Sequence, residues 1–339
     1  MIEIGSEFMM NSYQTGINQY KLLVNFPKRY VLSGRTGLYL VAEELLLRSI
    51  SSIALPAYCC GSMVAPFYHA GLEIEFYNEP VIPRAEAILI MDYFGFISDH
   101  SLSLAEKCRL KGKTIIVDAT QTAFSRSEIY NKADFIVASY RKWFDCLCAA
   151  VYSKHGFSVK EYNKEAVKYI EVWREAARQK RKYVTTGKGN KQSFLNLYSK
   201  ANEMLAKDYM GYSATQSEVE CFEKVDSDFL RMKRRENAFI LINTLSERVN
   251  LPYTVIRKED CPLHVPVLLP EDERLRIRKK LIENGIYCPC HWPIDEEYPY
   301  EKTSYHAEEL SLICDQRYTK EIIAEEAKKI IDIIEIEER

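Results

Sequence analysis

Short runs of apolar residues alternate with segments of helical periodicity between about residues 30 and 155, and this alternation limits the possible fold most strongly. The apolar runs indicate buried strands at 53–56, 73–77, 87–92, 114–118, 135–139 and 148–152. Helical segments lie between several of them, at 38–49, 62–70 and 102–110. Continuous apolar strands separated by helices are typical of a largely parallel sheet covered on both faces. The sequence therefore predicts an α/β fold with three layers.

The rest of the chain has a different pattern. A basic helical stretch follows Lys160, the sequence "TTGKGN" at 185–190 interrupts it, and a second helical pattern covers 216–247. Beyond it we predict a small α+β unit with strands at 252–256, 264–269 and 286–290 and helices at 271–284 and 319–334. The predicted domains are residues 1–246, which include the helical segment 158–246, and residues 247–339.

Composition and charge exclude several classes of protein. The formal net charge of −2 lacks the basic surplus of a nucleic-acid-binding protein, so we expect no nucleic-acid partner. No apolar run is long enough to span a membrane, so we expect no membrane association. The start of the chain, "MIEIGSEFMMNSYQ", lacks the basic and apolar regions of a secretory signal. We therefore expect a cytoplasmic protein whose ten cysteines are reduced thiols.

Two cysteine pairs resemble metal-binding motifs. One residue separates Cys146 from Cys148 and Cys288 from Cys290, which His291 follows. Structural zinc sites usually have about two to four residues between cysteines. We interpret these thiols as small buried apolar groups and predict no metal site.

A candidate anion-binding turn, "LSGRTGLYL", opens the first predicted helix. Ser33, Gly34, Arg35 and Thr36 would offer free N–H groups at the positive end of the helix dipole, and Arg35 would add a bidentate donor for phosphate. Ser33 is equally an ordinary helix cap, so this turn alone leaves both interpretations open.

Polar and aromatic residues follow the next predicted strands. Tyr58 lies just past the strand at 53–56 and could stack on a flat ligand or simply line a rim. Asp118 ends the strand at 114–118, with Gln121 three residues on. A carboxylate at the mouth of a buried sheet needs a cationic or protonated partner, although capping a turn is the alternative role.

Ser139 and Lys142 end the strand at 135–139, next to Arg141 and ahead of two aromatic residues. Desolvation and a neighbouring cation both favour the neutral, nucleophilic form of a lysine, whereas a lysine after a strand is more often solvated. Along the chain, the anion-binding turn is followed by an aromatic residue, Asp-x-x-Gln and Ser-x-x-Lys. This order suits a cofactor with a phosphate, a flat ring, a basic ring nitrogen and an aldehyde. Pyridoxal 5′-phosphate has all four.

With these motifs the chain resembles the DegT/StrS-like sugar aminotransferases, which belong to the fold type I pyridoxal-phosphate enzymes. The resemblance extends from "EIGSEF" at 3–8 to "ELSLICDQRYT" at 309–319 and is most specific at "VDATQ" and "SYRK". It implies an aspartate aminotransferase-like fold, in which a large domain with a mostly parallel sheet binds the cofactor and a smaller C-terminal α+β domain follows. It also implies a homodimer with a shared active site.

The resemblance further implies individual roles. Lys142 would form the Schiff base with the cofactor, and Asp118 would pair with its ring nitrogen. Gln121 would bond the phenolic oxygen of the ring. Ser139 and the turn Gly34–Arg35–Thr36 would hold the phosphate. The family places an aromatic residue over the ring at the position of Cys60, so either Tyr58 substitutes for it or Cys60 lies against the ring.

This chain departs from the family pattern in three places. No Gly-Gly follows the lysine in "DCLCAAV", Arg35 stands where the family often has Thr, and "GYSATQSEVE" lacks the Asn and Arg that the partner subunit usually supplies. From their positions, we predict substrate contacts by Tyr93, Arg141, His291 and Arg317.

The predicted function is transfer of an amino group, with glutamate as the expected donor, to a keto sugar that is expected to be linked to a nucleotide. Dehydration of a deoxysugar is one alternative, but related dehydratases have histidine in place of the lysine. A non-catalytic ligand-binding relative is the second alternative. A nicotinamide dehydrogenase is disfavoured, because no G-x-G-x-x-G follows the first strand.

Overall fold

The computed structural model describes residues 3–20, 23–78, 81–294, 297 and 302–337, and these contain eleven strands, ten α-helices and two short 3₁₀ helices. The strands are β1 Ile4–Gly5, β2 Lys28–Val31, β3 Ser52–Pro56, β4 Glu73–Tyr77, β5 Ala87–Met91, β6 Thr114–Asp118, β7 Phe135–Ser139, β8 Ala149–Ser153, β9 His264–Leu268, β10 Ile286–Tyr287 and β11 Glu309–Ile313. The helices are α1 Gly34–Leu47, α2 Gly61–Ala70, α3 Asp99–Leu110, α4 Val167–Thr186, α5 Lys191–Lys207, α6 Gln216–Glu223, α7 Ser227–Leu245, α8 Glu271–Glu283, α9 Ser304–Glu308 and α10 Lys320–Glu337.

The central sheet has seven strands in the order β2-β8-β7-β6-β5-β3-β4. The strands from β3 to β7 are parallel, and β8 pairs antiparallel with both β7 and β2. This confirms the predicted α/β class, and the six predicted strands begin and end within one residue of those observed. The edge strand β2, "KRYV", was not predicted because it carries no apolar run and is only partly buried. None of the described helices is long and apolar enough to cross a membrane.

Both faces of the sheet are buried, which explains the continuous apolar strands. Ile88 and Ile90 of β5 lie in one core with Leu104 of α3. Leu89, which points the opposite way, lies in a second core with Leu38 of α1. Successive side chains of a strand point to opposite faces, so a sheet with helices on both sides needs apolar residues at every position.

A smaller lobe follows the sheet in sequence and packs beside it. In this lobe β9 pairs antiparallel with β11, and β1 pairs parallel with β10. Its core combines Leu241 of α7, Ile277 of α8 and Ile323 of α10 with Ile4 from the start of the chain. The division at residues 246 and 247 remains a prediction, and this core draws residues from both sides of it.

Three predicted elements differ from the structure. The strand predicted at 286–290 is limited to β10, Ile286–Tyr287. Residues 252–256 form no strand; Tyr253 instead stacks on Phe96 with ring centroids 4.4 Å apart. The helical pattern over 216–247 is broken between α6 and α7, where Asp226 caps α7 by accepting a hydrogen bond from the N–H of Phe229 at 2.9 Å. The N–H of Asp226 also donates to the carbonyl of Gln14 at 2.8 Å, so contact with the N-terminal segment accompanies the break.

Glu326 is a fully buried carboxyl group on α10, and neither of its side-chain oxygens has a hydrogen-bond partner among the described residues. Burial raises the pKa of Glu326 well above 4.5, Asp315 adds to the increase and Lys329 opposes it. The folded protein therefore holds this proton more tightly than the unfolded chain does, and the free energy of unfolding falls as pH rises above about 4.5.

We predict that Glu326→Gln gains stability relative to the wild type as pH rises from about 5 to 8, because glutamine cannot ionise. Urea unfolding at several pH values measures the difference. Glu325→Gln, at an exposed position of the same helix, is the control and should follow the wild type. Parallel pH profiles for the wild type and Glu326→Gln would contradict the prediction.

Candidate active site

A cavity of about 510 Å³ opens where the central sheet meets the smaller lobe. Asp118 and Ser139 line it from the ends of β6 and β7, and Gly34 lines it from the start of α1. The smaller lobe and the N-terminal residues 6–8 contribute other walls. Ligands of open α/β sheets bind at the carboxyl ends of the strands, and a cavity of this size suits a small molecule.

Lys142 reaches this cavity from a single 3₁₀ turn, Tyr140–Lys142, that follows β7. Tyr140 is fully buried and stacks on Phe222, with ring centroids 3.7 Å apart. Trp143 is also fully buried, and its Nε1–H donates to the carbonyl of Thr120 at 2.8 Å. The aromatic residues on both sides therefore fix the turn and hold the lysine between them in the cavity.

The environment of Lys142 lowers its pKa and so increases the neutral fraction of its amine. Its side chain is exposed, but it is exposed to the cavity, whose protein walls exclude much of the bulk solvent. This desolvation is the largest cause that lowers the pKa of Lys142, and Arg141 is the next. Glu7 and Cys60 oppose the shift. A lysine with a lowered pKa can act as a nucleophile and accept a proton.

Asp118 is a buried carboxyl group at the end of β6. The N–H of Thr120 donates to its Oδ1 at 2.8 Å, and no salt bridge joins it to another described residue. Burial raises the pKa of Asp118, while the hydrogen bonds from Thr120 oppose the increase. A buried carboxyl group of this kind is suited to a cationic or protonated ligand.

Gln121 lines the same cavity, and its Oε1 accepts a hydrogen bond from the N–H of Phe94 at 2.5 Å. This bond fixes the orientation of the amide group. Because its oxygen is engaged, the NH₂ group of Gln121 is the part that could donate to a ligand.

Small polar residues surround the start of α1. A Cβ atom added at Gly34 would lie 3.0 Å from Cβ of Ser139, 3.6 Å from its Oγ and 3.7 Å from Oγ1 of Thr120. A side chain at position 34 would therefore push against Ser139, and a helix start meets the hydroxyl groups of Ser33, Ser139 and Thr120 at one wall of the cavity. N–H groups at a helix start together with hydroxyl donors form a cradle suited to phosphate.

Two residues of the predicted phosphate turn are placed differently. Thr36 is buried and is not among the residues that line the cavity, since its N–H and Oγ1 both bond to Oγ of Ser33, at 3.2 and 2.9 Å. Arg35 lines the cavity, but its guanidinium donates to the carbonyl of Leu205 at 3.3 Å and lies over the ring of Tyr209. Ser33 and Thr120 also line this wall of the cavity, and the phosphate contacts of Arg35 and Thr36 stay a prediction.

Tyr58 and Tyr93 belong to an aromatic cluster and are not among the cavity-lining residues. The hydroxyl of Tyr58 donates to the carbonyl of His291, and that of Tyr93 donates to the carbonyl of Tyr58 at 2.8 Å. Their rings pack between the sheet and the smaller lobe, and the predicted ligand contacts of both tyrosines stay a prediction. Cys60 does line the cavity, with its Sγ 3.0 Å from Oγ of Ser62.

Three of the predicted substrate contacts, Arg141, His291 and Arg317, line the cavity. Arg317 is committed to the protein itself: Nε and Nη2 bond Asp315 at 2.9 and 2.7 Å, and Nη2 donates to the carbonyl of Ser6 at 3.3 Å. It thereby ties down the N-terminal segment. Arg141 instead contacts neutral groups, including Oδ1 of Asn202 at 3.2 Å, so its charge remains available to an anion.

Several cavity residues were missed by the sequence analysis. Arg234 is fully buried in the middle of α7, and Nε donates to Oε1 of Gln316 at 2.8 Å. His264, at the start of β9, and Glu7, in the N-terminal segment, also line the cavity. No local pattern marks these residues, because each comes from a different element. Thr120 lies inside the motif "VDATQ", and its hydroxyl two residues after Asp118 was the available signal.

Outside the cavity, the ligand atoms of Cys146, Glu218 and Cys221 lie within 4.8 Å of one another. Arg174 already forms a salt bridge with Glu218, and the N–H of Leu147 donates to Oε2 of Glu218 at 2.7 Å. The carboxylate is therefore neutralised by a cation of the protein. We interpret this cluster as a structural contact between α4, α6 and the segment after Lys142.

The amino-acid sequence matches no protein-family profile and no curated protein. Solved structures do match over nearly the whole chain. PseC from Helicobacter pylori, an aminotransferase involved in the biosynthesis of pseudoaminic acid, has a TM-score of 0.66 and 12% identity, covering 98% of this chain and 93% of that chain. A DegT DnrJ EryC1 StrS aminotransferase from Brucella abortus has a TM-score of 0.57 and 15% identity, covering 91% of this chain and 85% of the other.

NtdA from Bacillus subtilis, solved with bound cofactor PMP, has a TM-score of 0.61 and 15% identity, covering 91% of this chain and 73% of that chain. This chain has the fold of these proteins. The predicted fold type is thereby confirmed, with the mostly parallel sheet and the smaller C-terminal lobe both present.

Lys180 of α4 is buried beside the N-terminal wall of the cavity, and its Nζ donates to the carbonyl of Glu7. Burial lowers the pKa of Lys180 from 10.5 to about 7; Arg317 contributes to the decrease and Glu7 opposes it. The folded protein thus holds this proton less tightly than the unfolded chain, so its free energy of unfolding rises with pH between about 7 and 10.5.

We predict that Lys180→Met removes this dependence. The variant should be most stable relative to the wild type near pH 6 and should lose that advantage by about pH 9. Urea unfolding measures the change, and Lys182→Met, at an exposed position of the same helix, should keep the pH profile of the wild type. A difference between Lys180→Met and the wild type that is constant with pH would contradict the assignment.

Proposed function

We propose that this protein is a pyridoxal-phosphate-dependent aminotransferase that transfers an amino group from an amino acid to the keto group of a sugar. The observation that carries the proposal is the meeting of Lys142, Asp118 and the cradle around Gly34 in one cavity. Each feature alone has an ordinary structural explanation. Together they supply a nucleophilic amine, a partner for a ring nitrogen and a site for phosphate.

The residues present fit this cofactor. The close approach of α1 to Ser139 and Thr120 leaves space for a phosphate that any side chain at position 34 would reduce. Asp118 is a buried carboxyl group without a salt bridge among the described residues, and a protonated ring nitrogen would supply its missing partner. NtdA, which shares the fold, binds PMP, the aminated form of pyridoxal phosphate.

Lys142 would carry out the proton transfers. When bound, pyridoxal phosphate supplies an electron sink for the carbon next to the amino group. The lowered pKa of Lys142 keeps a larger fraction of its amine neutral, so that it can take a proton from the substrate and return it at a neighbouring atom. Tyr140 and Trp143 hold the turn in place, so the amine of Lys142 is kept close to the reacting atoms.

Asp118 would keep a proton on the ring nitrogen of the cofactor. Its burial between strands leaves little solvent to screen its charge, so an ion pair there is stronger than it would be in water. The N–H of Thr120 fixes one carboxylate oxygen at 2.8 Å and thereby orients the group.

The charge of the cavity favours anionic substrates. Its lining includes five arginines, Arg35, Arg141, Arg234, Arg278 and Arg317, against the acidic residues Glu7, Asp118 and Asp315. This surplus of cations agrees with a phosphorylated cofactor and with a carboxylate donor such as glutamate. Arg141, whose partners are neutral, is the candidate for the carboxylate or for the phosphate of a nucleotide-linked acceptor.

We further propose a homodimer that acts in the cytoplasm, on the basis of the family resemblance and of the ten cysteines, all of which are free thiols in the structure. Light scattering on the purified protein measures its oligomeric state.

We predict that Lys142→Ala loses the covalent cofactor adduct and loses turnover by about 10²–10⁴-fold, the usual contribution of a positioned acid–base group. The measurements are the absorbance of the protein after addition of pyridoxal phosphate and the trapping of the adduct with borohydride at Lys142. Lys154→Ala is the matched control, since Lys154 follows β8 and is exposed.

Retention of the trapped adduct and of turnover in Lys142→Ala would contradict the proposal. A wild-type protein that cannot be loaded with pyridoxal phosphate would favour the non-catalytic ligand-binding alternative.

We predict a separate effect for Asp118→Asn. This variant should still form the borohydride-trapped adduct at Lys142, but its turnover should fall by about 10²–10³-fold, because an amide cannot hold the charge of the ring nitrogen. The measurement is single-turnover conversion with glutamate, followed by absorbance. Turnover within about twofold of the wild type would remove Asp118 from the proposed role.

A further inference from the structure

A chain of hydrogen bonds connects the cavity to a buried acidic residue of the smaller lobe. His291 lines the cavity, and its Nδ1 lies 3.0 Å from Oγ of Ser311. Oγ of Ser311 lies 2.5 Å from Oε1 of Glu309, and the backbone N–H of His291 donates to Oε2 of Glu309 at 2.6 Å. Ser311 and Glu309 are both fully buried on β11.

The direction of these hydrogen bonds follows from which groups can donate. Ser311 donates its hydroxyl proton to Oε1 of Glu309. Oγ of Ser311 can then only accept in its contact with His291. Nδ1 of His291 must therefore carry a proton and donate it to Oγ of Ser311. In a neutral imidazole this leaves Nε2, on the other side of the ring, with a lone pair.

The surroundings hold the imidazole ring in place. The ring of Phe94 packs edge-on at 5.9 Å and that of Trp292 at 5.4 Å. The ring of His264 lies 5.3 Å away, and burial lowers the pKa of His264 well below 6.5, with His291 the next contribution. His264 therefore stays neutral and adds no charge next to His291.

Such a network needs an explanation beyond stability. Burying a carboxyl group in a strand is costly, and apolar residues would fill the same space at lower cost. Here the carboxyl group of Glu309 accepts hydrogen bonds from Ser311 and from the backbone N–H of His291, and Ser311 also bonds the His291 ring, so the network ends at one residue of the cavity wall. A polar network of this kind fixes the tautomer and the direction of a histidine.

We propose that Glu309 and Ser311 are positioning residues that hold His291 as the Nδ1–H tautomer, so that its Nε2 accepts a hydrogen bond from a hydroxyl group of the acceptor sugar. This inference rests on the proposed aminotransferase function for the identity of the ligand, whereas the tautomer follows from the contacts alone. Sugars with a hydroxyl group at the matching position would be selected, because a fixed acceptor without a donor is left unpaired.

The tautomer is tested first and without a substrate. Long-range ¹⁵N–¹H correlation spectra of the cofactor-loaded protein, labelled at its six histidines, report which ring nitrogen carries the proton. His291→Asn identifies the signal. We expect the Nδ1–H form in the wild type, loss of this preference in Ser311→Ala and its return in Ser311→Thr, which restores the hydroxyl. An Nε2–H ring in the wild type would overturn the proposal. Because Oε2 of Glu309 also lies 3.7 Å from Nδ1 of His291, an unchanged ring in both Ser311→Ala and Glu309→Gln would overturn it as well.

Glu309→Gln gives an independent measurement if Ser311→Ala does not fold. The glutamine can donate from its amide group to Ser311, which allows the hydroxyl to donate to His291 instead. We therefore expect the Nδ1–H preference to weaken in this variant as well. A fully retained Nδ1–H form in a folded Glu309→Gln protein would count against the positioning role.

The ligand is tested with a nucleoside-diphosphate-linked 4-keto-6-deoxyhexose as the probe. We expect Ser311→Ala to raise KM for this acceptor by about tenfold, which corresponds to the loss of one hydrogen bond. The KM for glutamate in the other half-reaction should change much less. Equal effects on both half-reactions would overturn the assignment to the acceptor. If the tautomer is as expected but no keto sugar is aminated by the wild type, the proposed function fails while the positioning of His291 stands.

Discussion

The parallel pairing of β6 with β7 is the constraint on which the candidate site depends. Asp118 pairs in register with Val137, so the two strands end side by side, and Ser139 follows two residues later. The residues that come next, Thr120 and Lys142, then enter one cavity. Hydrogen bonds from Ser139 N–H to Thr120 Oγ1 at 3.3 Å and from Trp143 Nε1–H to Thr120 O at 2.8 Å connect the two strand ends. A slip in this register would separate the amine from the carboxyl group.

The strand pairing brings Asp118 and Lys142 to one cavity, and aromatic residues hold the turn that carries Lys142. Tyr140 and Trp143 bury their rings on either side of the lysine, and Trp143 in turn supports Arg234, whose guanidinium lies over its ring at 4.8 Å. The segment behind the lysine lacks the Gly-Gly that the family resemblance leads one to expect. In this chain Cys146 and Leu147 occupy it instead and contact Glu218 of α6, so buried side chains replace the flexible backbone that glycines would provide.

Much of the fold and part of the site could be predicted from local patterns. Strands buried on both faces carry apolar residues at every position, which is why β3 to β8 were located almost to the residue. Lys142, Asp118 and Gly34 were predicted as site residues for a related reason, since strand ends and helix starts can be read from the chain. The half-buried β2 and the coil at 252–256 were missed or misassigned, because an edge strand and an isolated packed tyrosine have no distinctive periodicity.

By itself, the sequence determined the strands of the central sheet and the polar residues at their ends, among them Asp118 and Lys142, because these depend on residues close together in the chain. Only the tertiary structure decided which other side chains reach the cavity. Tyr58 and Tyr93 pack in an aromatic cluster, Arg317 forms a salt bridge with Asp315, and His291 is hydrogen-bonded to Ser311, which bonds Glu309. The physical reason is that a side chain's availability depends on every group that competes for its hydrogen bonds, and those groups come from distant elements.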